Sequence, residues 1–191
     1  MRLPVRQHHE VFFYRDPMSL ADAVIRHISP ALEELSPTIL IMTRPNEKAL
    51  ELQLRRTDFD PEILESMSLL TRLNAEETLE KFYIGGALNE PIFRKEIGGL
   101  IERTQFPTRL TFAYGEMVDV LCSRKKYEHA LELEAMWNRL GVDFKFALLC
   151  GYDLTRTTPT DFIKGACNRH DEIDYEEPLA QIVREARAAQ Y

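Results

Sequence analysis

Glycine is scarce in this chain: eight among 191 residues, and none before Gly85. The stretch after the first apolar run, Tyr14-Arg15-Asp16-Pro17-Met18-Ser19, therefore has no side-chain-free position at which successive backbone amides can turn inward around a phosphate. Neither G-x-x-x-x-G-K-[ST] nor G-x-G-x-x-G occurs, which removes the two common phosphate-cradling loops. Cysteine is also sparse. Cys122, Cys150 and Cys167 cannot all pair, and their wide spacing is not a disulfide framework, so they are expected as reduced thiols. Basic charge is in deficit, 24 Lys and Arg against 31 Asp and Glu, and the net charge of -7 disfavours a nonspecific grip on nucleic acid or anionic lipid. No 18-residue apolar run and no signal-peptide core are present, and a cytoplasmic location without membrane contact is expected. Ser19, Ser66, Ser68 and Ser123 lack elbow glycines and no H-E-x-x-H appears, so no catalytic residue is assigned.

What is present is a regular alternation. Apolar runs at Val11–Tyr14, Thr38–Thr43, Met67–Leu73, Leu110–Tyr114 and Phe144–Cys150 have the look of buried strands. Each is followed by residues at helical spacing, as in Leu20, Val24, Ile28 and Leu32, or Ala130, Leu133, Trp137 and Leu140. Pro30 is expected to kink or split the first helix, Gly85-Gly86 to terminate a helix, and Phe106-Pro107 to end another. Strand followed by helix five times over predicts a three-layer α/β sandwich around a mainly parallel sheet. One domain is expected over residues 1–175. Residues 176–191 form an amphipathic helix with Leu179, Ile182, Val183 and Ala186 on one side, docked on the domain or at a dimer interface.

In open parallel sheets ligands bind beyond the carboxyl ends of the strands. The residues there include Tyr14, Thr43, Arg44, Arg72, Glu116, Cys150 and Tyr152, a polar and aromatic rim suited to a small organic molecule. Each of them taken singly is more often a cap or a core residue than a ligand. Glu116, just past Gly115, stands out: at a helix N-terminus its charge is favoured, and it is expected to meet a cationic group or to hold Arg44 or Arg72. Cys167 and His170 have C-x-x-H spacing with Cys150 as a third candidate ligand, but two such residues in a helical stretch are usually coincidence, and neither metal nor cofactor is expected.

Several segments carry a family resemblance: H-H-E-V-F-F-Y from His8, T-R-P-N-E-K-A-L from Thr43, L-N-A-E-E-T-L-E-K-F from Leu73, F-A-Y-G-E-M-V from Phe112, A-L-E-L-E-A-M-W-N from Ala130 and F-A-L-L-C-G-Y from Phe146. In order, over about residues 8 to 155, they resemble the MEDS domain, the methanogen and methylotroph sensory domain of the dichloromethane-regulator type. The resemblance implies a RecA-like, P-loop-NTPase-like core without the Walker A loop, and a role in sensing small, hydrocarbon-derived signals. By position His9, Tyr14, Thr43, Glu116, Trp137, Asn138, Cys150 and Tyr152 carry over, the tryptophan and asparagine as packing and capping residues. The chain departs from the family at Asn46 and Glu47, where a histidine is common, near Phe112, where an arginine is common, and at Gly151-Tyr152-Asp153, which replaces A-Y-P. The expected function is non-catalytic signal transduction: a small ligand binds at the strand ends and the output passes to a separate histidine kinase or transcription regulator, or through a homodimer. The alternatives are a protein-interaction adaptor without a small ligand, and a degenerate nucleotide-binding enzyme.

Overall fold

The computed structural model describes residues 8–104 and 109–188, and the Phe106-Pro107 helix end lies outside them. In chain order the strands are β1 (His9–Tyr14), β2 (Thr38–Met42), β3 (Leu70–Asn74), β4 (Tyr83–Ile84), β5 (Ala87–Leu88), β6 (Thr111–Gly115), β7 (Phe146–Asp153) and β8 (Glu172–Tyr175). Six of them run parallel in one sheet, in the order β3-β2-β6-β7-β1-β8, while β4 and β5 make a small separate hairpin. The five expected strands are all in the main sheet. The sixth, β8, is a short E-I-D-Y segment at the sheet edge, paired through Glu10↔Glu172 to Phe13↔Tyr175. Two of its four residues are acidic and none is fully buried, so it lacks the apolar run that marks the others.

Alternation along the central strands sorts side chains into two cores. Val11, Phe13, Ile39, Ile41, Ala113, Leu148, Cys150 and Tyr152 face one layer. Phe12, Tyr14, Leu40, Met42, Tyr114 and Leu149 face the other. The second layer is covered by α1 (Pro17–Glu33) and α2 (Arg44–Leu54), with α3 (Pro61–Ser66) leading into β3. The first is covered by α4 (Ala75–Glu80), α5 (Glu90–Phe93) with the π turn Arg94–Gly98, α6 (Gly99–Thr104), α7 (Met117–Ser123), α8 (Tyr127–Asp143), α9 (Thr160–Cys167) and α10 (Ala180–Ala188). Each fully buried Leu, Ile or Phe contributes roughly 1.5–3 kcal/mol. Trp137 is one of the largest, edge-on to Phe93 and Phe146, and so is a packing residue.

Three local expectations need correcting. Pro30 does not split the first helix, because it falls in the last turn of α1, which stops at Glu33 in any case. Gly85 and Gly86 do not terminate a helix, since α4 has already ended at Glu80. Their φ values of 62° and 84° make the turn between β4 and β5, a conformation that favours glycine. The third strand starts at Leu70, because Met67 and Ser68 close α3 through a left-handed turn at Ser68, φ 58°. At the C-terminus α10 lies on α9 with Ala180, Val183 and Ala186 buried. No helix among the described residues is long and apolar enough to cross a membrane.

Candidate functional site

The turn from β1 to α1 is only two residues long. Its amides are already engaged: the backbone N–H groups of Arg15 and Asp16 both donate to Glu176 Oε1, at 2.9 and 2.8 Å. Asp16 in turn caps α1 by accepting from Ser19 N. Two carboxylates thus stand at the helix N-terminus where an anion would otherwise be favoured.

Beside that turn the carboxyl ends of β1, β2, β6 and β7 enclose a crevice of about 460 Å3, lined among others by Tyr14, Thr43, Asn46, Asp119, Asp153 and Arg156. Under it lies Glu116, fully buried, where β6 turns into α7. Its Oε2 accepts from Thr43 N at 2.7 Å and its Oε1 from the Tyr114 hydroxyl at 2.9 Å. Burial outweighs these bonds and pushes the Glu116 carboxyl up to about 7. Asn46 Nδ2 donates to the Tyr14 hydroxyl at 2.9 Å, and burial together with Asp119 and Glu116 holds that phenol in its neutral form. Asp119, also buried, is pushed up to about 6 by desolvation against the opposing pull of Arg156, which bridges it to Asp153. Gly151 belongs to the same arrangement: a Cβ there would collide with Tyr114 Oη, so the missing side chain is what lets the tyrosine reach Glu116.

Of the residues expected at the strand ends, Tyr14, Thr43 and Glu116 come together. The others do not join them. Arg44 is exposed, because the helical phase of α2 turns Asn46, Ala49 and Leu50 inward instead. Arg72 sits on edge strand β3, bound to Glu65 at 2.6 Å and Glu51 at 2.9 Å, beside a separate surface hollow that also contains Arg55 and Asp60. Glu116 therefore holds neither arginine.

His9, Cys150 and Tyr152 form a different cluster. β7 continues three residues beyond its expected end, paired to β1 through Val11↔Cys150 and Phe13↔Tyr152, so Cys150 is in mid-strand and shares a face with Tyr152. His9 opens β1 at the opposite end from the crevice. Between them stands Glu134 from α8, fully buried, and next to it His170, from the loop between α9 and β8. His9 Nε2 lies 3.2 Å from Glu134 Oε2 and His170 Nε2 3.3 Å from Glu134 Oε1, while Tyr152 donates its hydroxyl to Glu134. Burial drives the Glu134 carboxyl up, but the facing imidazoles His170 and His9 prevail and hold it below the usual carboxylate range. Asn46, Asp119, Arg156, Glu134, Asn138 and His170 escape sequence reasoning as site residues. Only the C-x-x-H spacing points to one of them, and of that pair Cys167 lies apart from the cluster.

The fold is that of a RecA-like ATPase domain. The structure resembles a solved phage-type helicase fold only in so far as that structure is described as an ATPase domain, with a TM-score of 0.53 at 9% identity, covering 92% of this chain and 71% of that one. No curated protein matches the sequence. The family model described as MEDS, the MEthanogen/methylotroph, DcmR Sensory domain, matches residues 8–171, most of the chain and every strand but β8. The chain belongs to the MEDS family of sensory domains.

Proposed function

We propose that the chain is a non-catalytic sensor that takes a small, uncharged organic molecule in the crevice at the carboxyl ends of β1, β2, β6 and β7. The observation that carries this reading is the pairing of a roomy crevice with a strand-to-helix turn whose amides are spent on Glu176. A phosphate would have to displace that carboxylate and approach Asp16 as well. The charged groups of the crevice cancel locally, Arg156 against Asp119 and Asp153. What remains for a ligand is apolar surface from Pro17, Pro45 and Val120 and the hydroxyl of Tyr14. That combination fits a compact molecule with one or two hydrogen-bonding groups. A ligand that binds two arrangements of the domain unequally shifts their populations, and a separate regulator or kinase reads the shift.

The test is a thermal-shift screen of short-chain alcohols, amines, aldehydes and amides against the wild type and Tyr14→Phe. A ligand at 100 times its Kd adds about 2.7 kcal/mol, which for a domain of this size raises Tm by roughly 5–10 °C. The expected result is at least one chemical class that stabilises the wild type and loses its effect in Tyr14→Phe. Silence across the panel, or shifts that survive the substitution unchanged, would refute the assignment.

A further inference from the structure

The buried cluster under α8 lies outside the crevice, and its hydrogen bonds leave an imbalance. His170 Nδ1 lies 2.7 Å from the carbonyl of Ala166, which can only accept, so this nitrogen carries the proton and Nε2 presents its lone pair. His170 Nε2 is buried without a hydrogen bond and faces Glu134. His9 is set in the same way. Asn138 Nδ2 donates to Arg169 O at 2.9 Å, so Asn138 Oδ1 is the atom that faces His9 Nδ1 at 2.9 Å and accepts its proton. His9 Nε2 then turns its lone pair toward Glu134 and toward Cys150 Sγ, 3.4 Å away. Two imidazole lone pairs and a carboxylate meet in a water-poor interior, and the thiol of Cys150 has one proton to offer among them.

We propose that His9, Glu134, Cys150 and His170 form a binding site for a single divalent transition-metal ion, with Zn2+ the best match. Three arguments carry it. The donor set, two imidazole nitrogens, one thiolate and one carboxylate, suits a borderline-soft cation. The spacing also fits. With bonds of about 2.0–2.3 Å, tetrahedral ligand atoms lie about 3.3–3.8 Å apart. The distances here are 3.2 Å from His9 to Glu134, 3.3 Å from His170 to Glu134, 3.4 Å from His9 to Cys150 and 3.6 Å from Cys150 to Glu134. The four ligand atoms all lie within 4.8 Å of one another, so closure on an ion needs the outermost to move by roughly 1 Å. Lastly, the surroundings are those of a metal centre: both histidines are oriented through Nδ1 by an acceptor, and Tyr152 steadies the carboxylate.

His9, Trp137, Asn138 and Asp171 border a cleft of about 460 Å3, which supplies the way in. Binding ionises Cys150 and releases its proton to solvent. Four protein ligands leave no open position, so the ion ties β1, α8, β7 and the loop before β8 together instead of activating a water. The binding of the ion is independent of the crevice ligand.

The experiment uses tag-free, full-length protein stripped with a chelator and kept reduced, then titrated with Co2+ and with Zn2+. Asn138 is exposed, so Asn138→Ala leaves the core intact while releasing His9. The expected result is one equivalent of Co2+ with the visible bands of a tetrahedral ion and a thiolate-to-metal charge-transfer band, displaced by Zn2+. The charge-transfer band disappears in Cys150→Ser and persists in Cys167→Ser. In Asn138→Ala the Zn2+ affinity falls by about 10–100-fold. Absence of stoichiometric binding by the folded wild type, a charge-transfer band that survives Cys150→Ser, or an Asn138→Ala affinity equal to the wild type's would each overturn the site.

Discussion

Replacing Glu116 by Gln separates the cost of a buried charge from the value of its hydrogen bonds. In the folded chain Glu116 has a carboxyl value of about 7, against an ordinary 4.5, chiefly because it is desolvated. Its folded value is raised, so its contribution to stability is fully present below pH 4.5 and is lost as pH rises through 7. Between about pH 5 and pH 8 the loss amounts to about 2.5 kcal/mol. Glutamine keeps one oxygen for Thr43 N and offers an amide to the Tyr114 oxygen, but it does not ionise. Any change it makes to the hydrogen bonds is the same at every pH. The difference in urea-unfolding free energy between Glu116→Gln and the wild type should therefore move by about 2.5 kcal/mol in favour of the variant from about pH 5 to pH 8. In thermal melts this corresponds to roughly 5–10 °C. Parallel pH profiles for the two proteins would refute the reasoning, since they would mean that Glu116 is solvated or paired in a way its surroundings do not show.

The other predictions test neighbouring parts of the account. His27 is buried and bonded through Nε2 to Ala113 O at 3.1 Å, and burial lowers its value to about 3. The stability it lends above pH 6.5 is therefore lost as pH falls, by up to about 1.4 kcal/mol per unit, and His27→Gln should flatten the acid limb of the unfolding profile. Gly151→Ala forces the Tyr114 hydroxyl aside and should cost about 1–3 kcal/mol in urea unfolding, whereas the wild-type midpoint in the variant would show that the tyrosine is free to move. Glu176→Gln weakens the two bonds that hold the β1–α1 turn and should cost about 1 kcal/mol, read in the same assay.

The layered α/β plan is legible in the sequence because five strands are apolar without interruption and each leads into a helical repeat. The edge strand β8 is not, since a strand paired on one side only can be short and acidic. Tyr14, Thr43 and Glu116 are legible as crevice residues because each stands at the end of a buried strand. Arg44 and Arg72 are not correctly read, because helical phase and edge position, not distance from the strand end, decide where their side chains go. The ladder between β1 and β7 explains the misplacement of Cys150 and Tyr152: pairing carries β7 onward through Gly151, where composition marks a turn. Glu134 and His170 join His9 and Cys150 only through tertiary packing of α8 and the α9–β8 loop, which no local pattern in the chain encodes.

Isothermal titration with Mg·ATP measures most directly whether the strand-end crevice belongs to a receiver or to a nucleotide engine. With the Arg15 and Asp16 amides committed to Glu176, the account predicts no saturable, magnesium-dependent heat from the wild type. Stoichiometric binding of Mg·ATP that competes with a crevice ligand and is lost in Tyr14→Phe would contradict it.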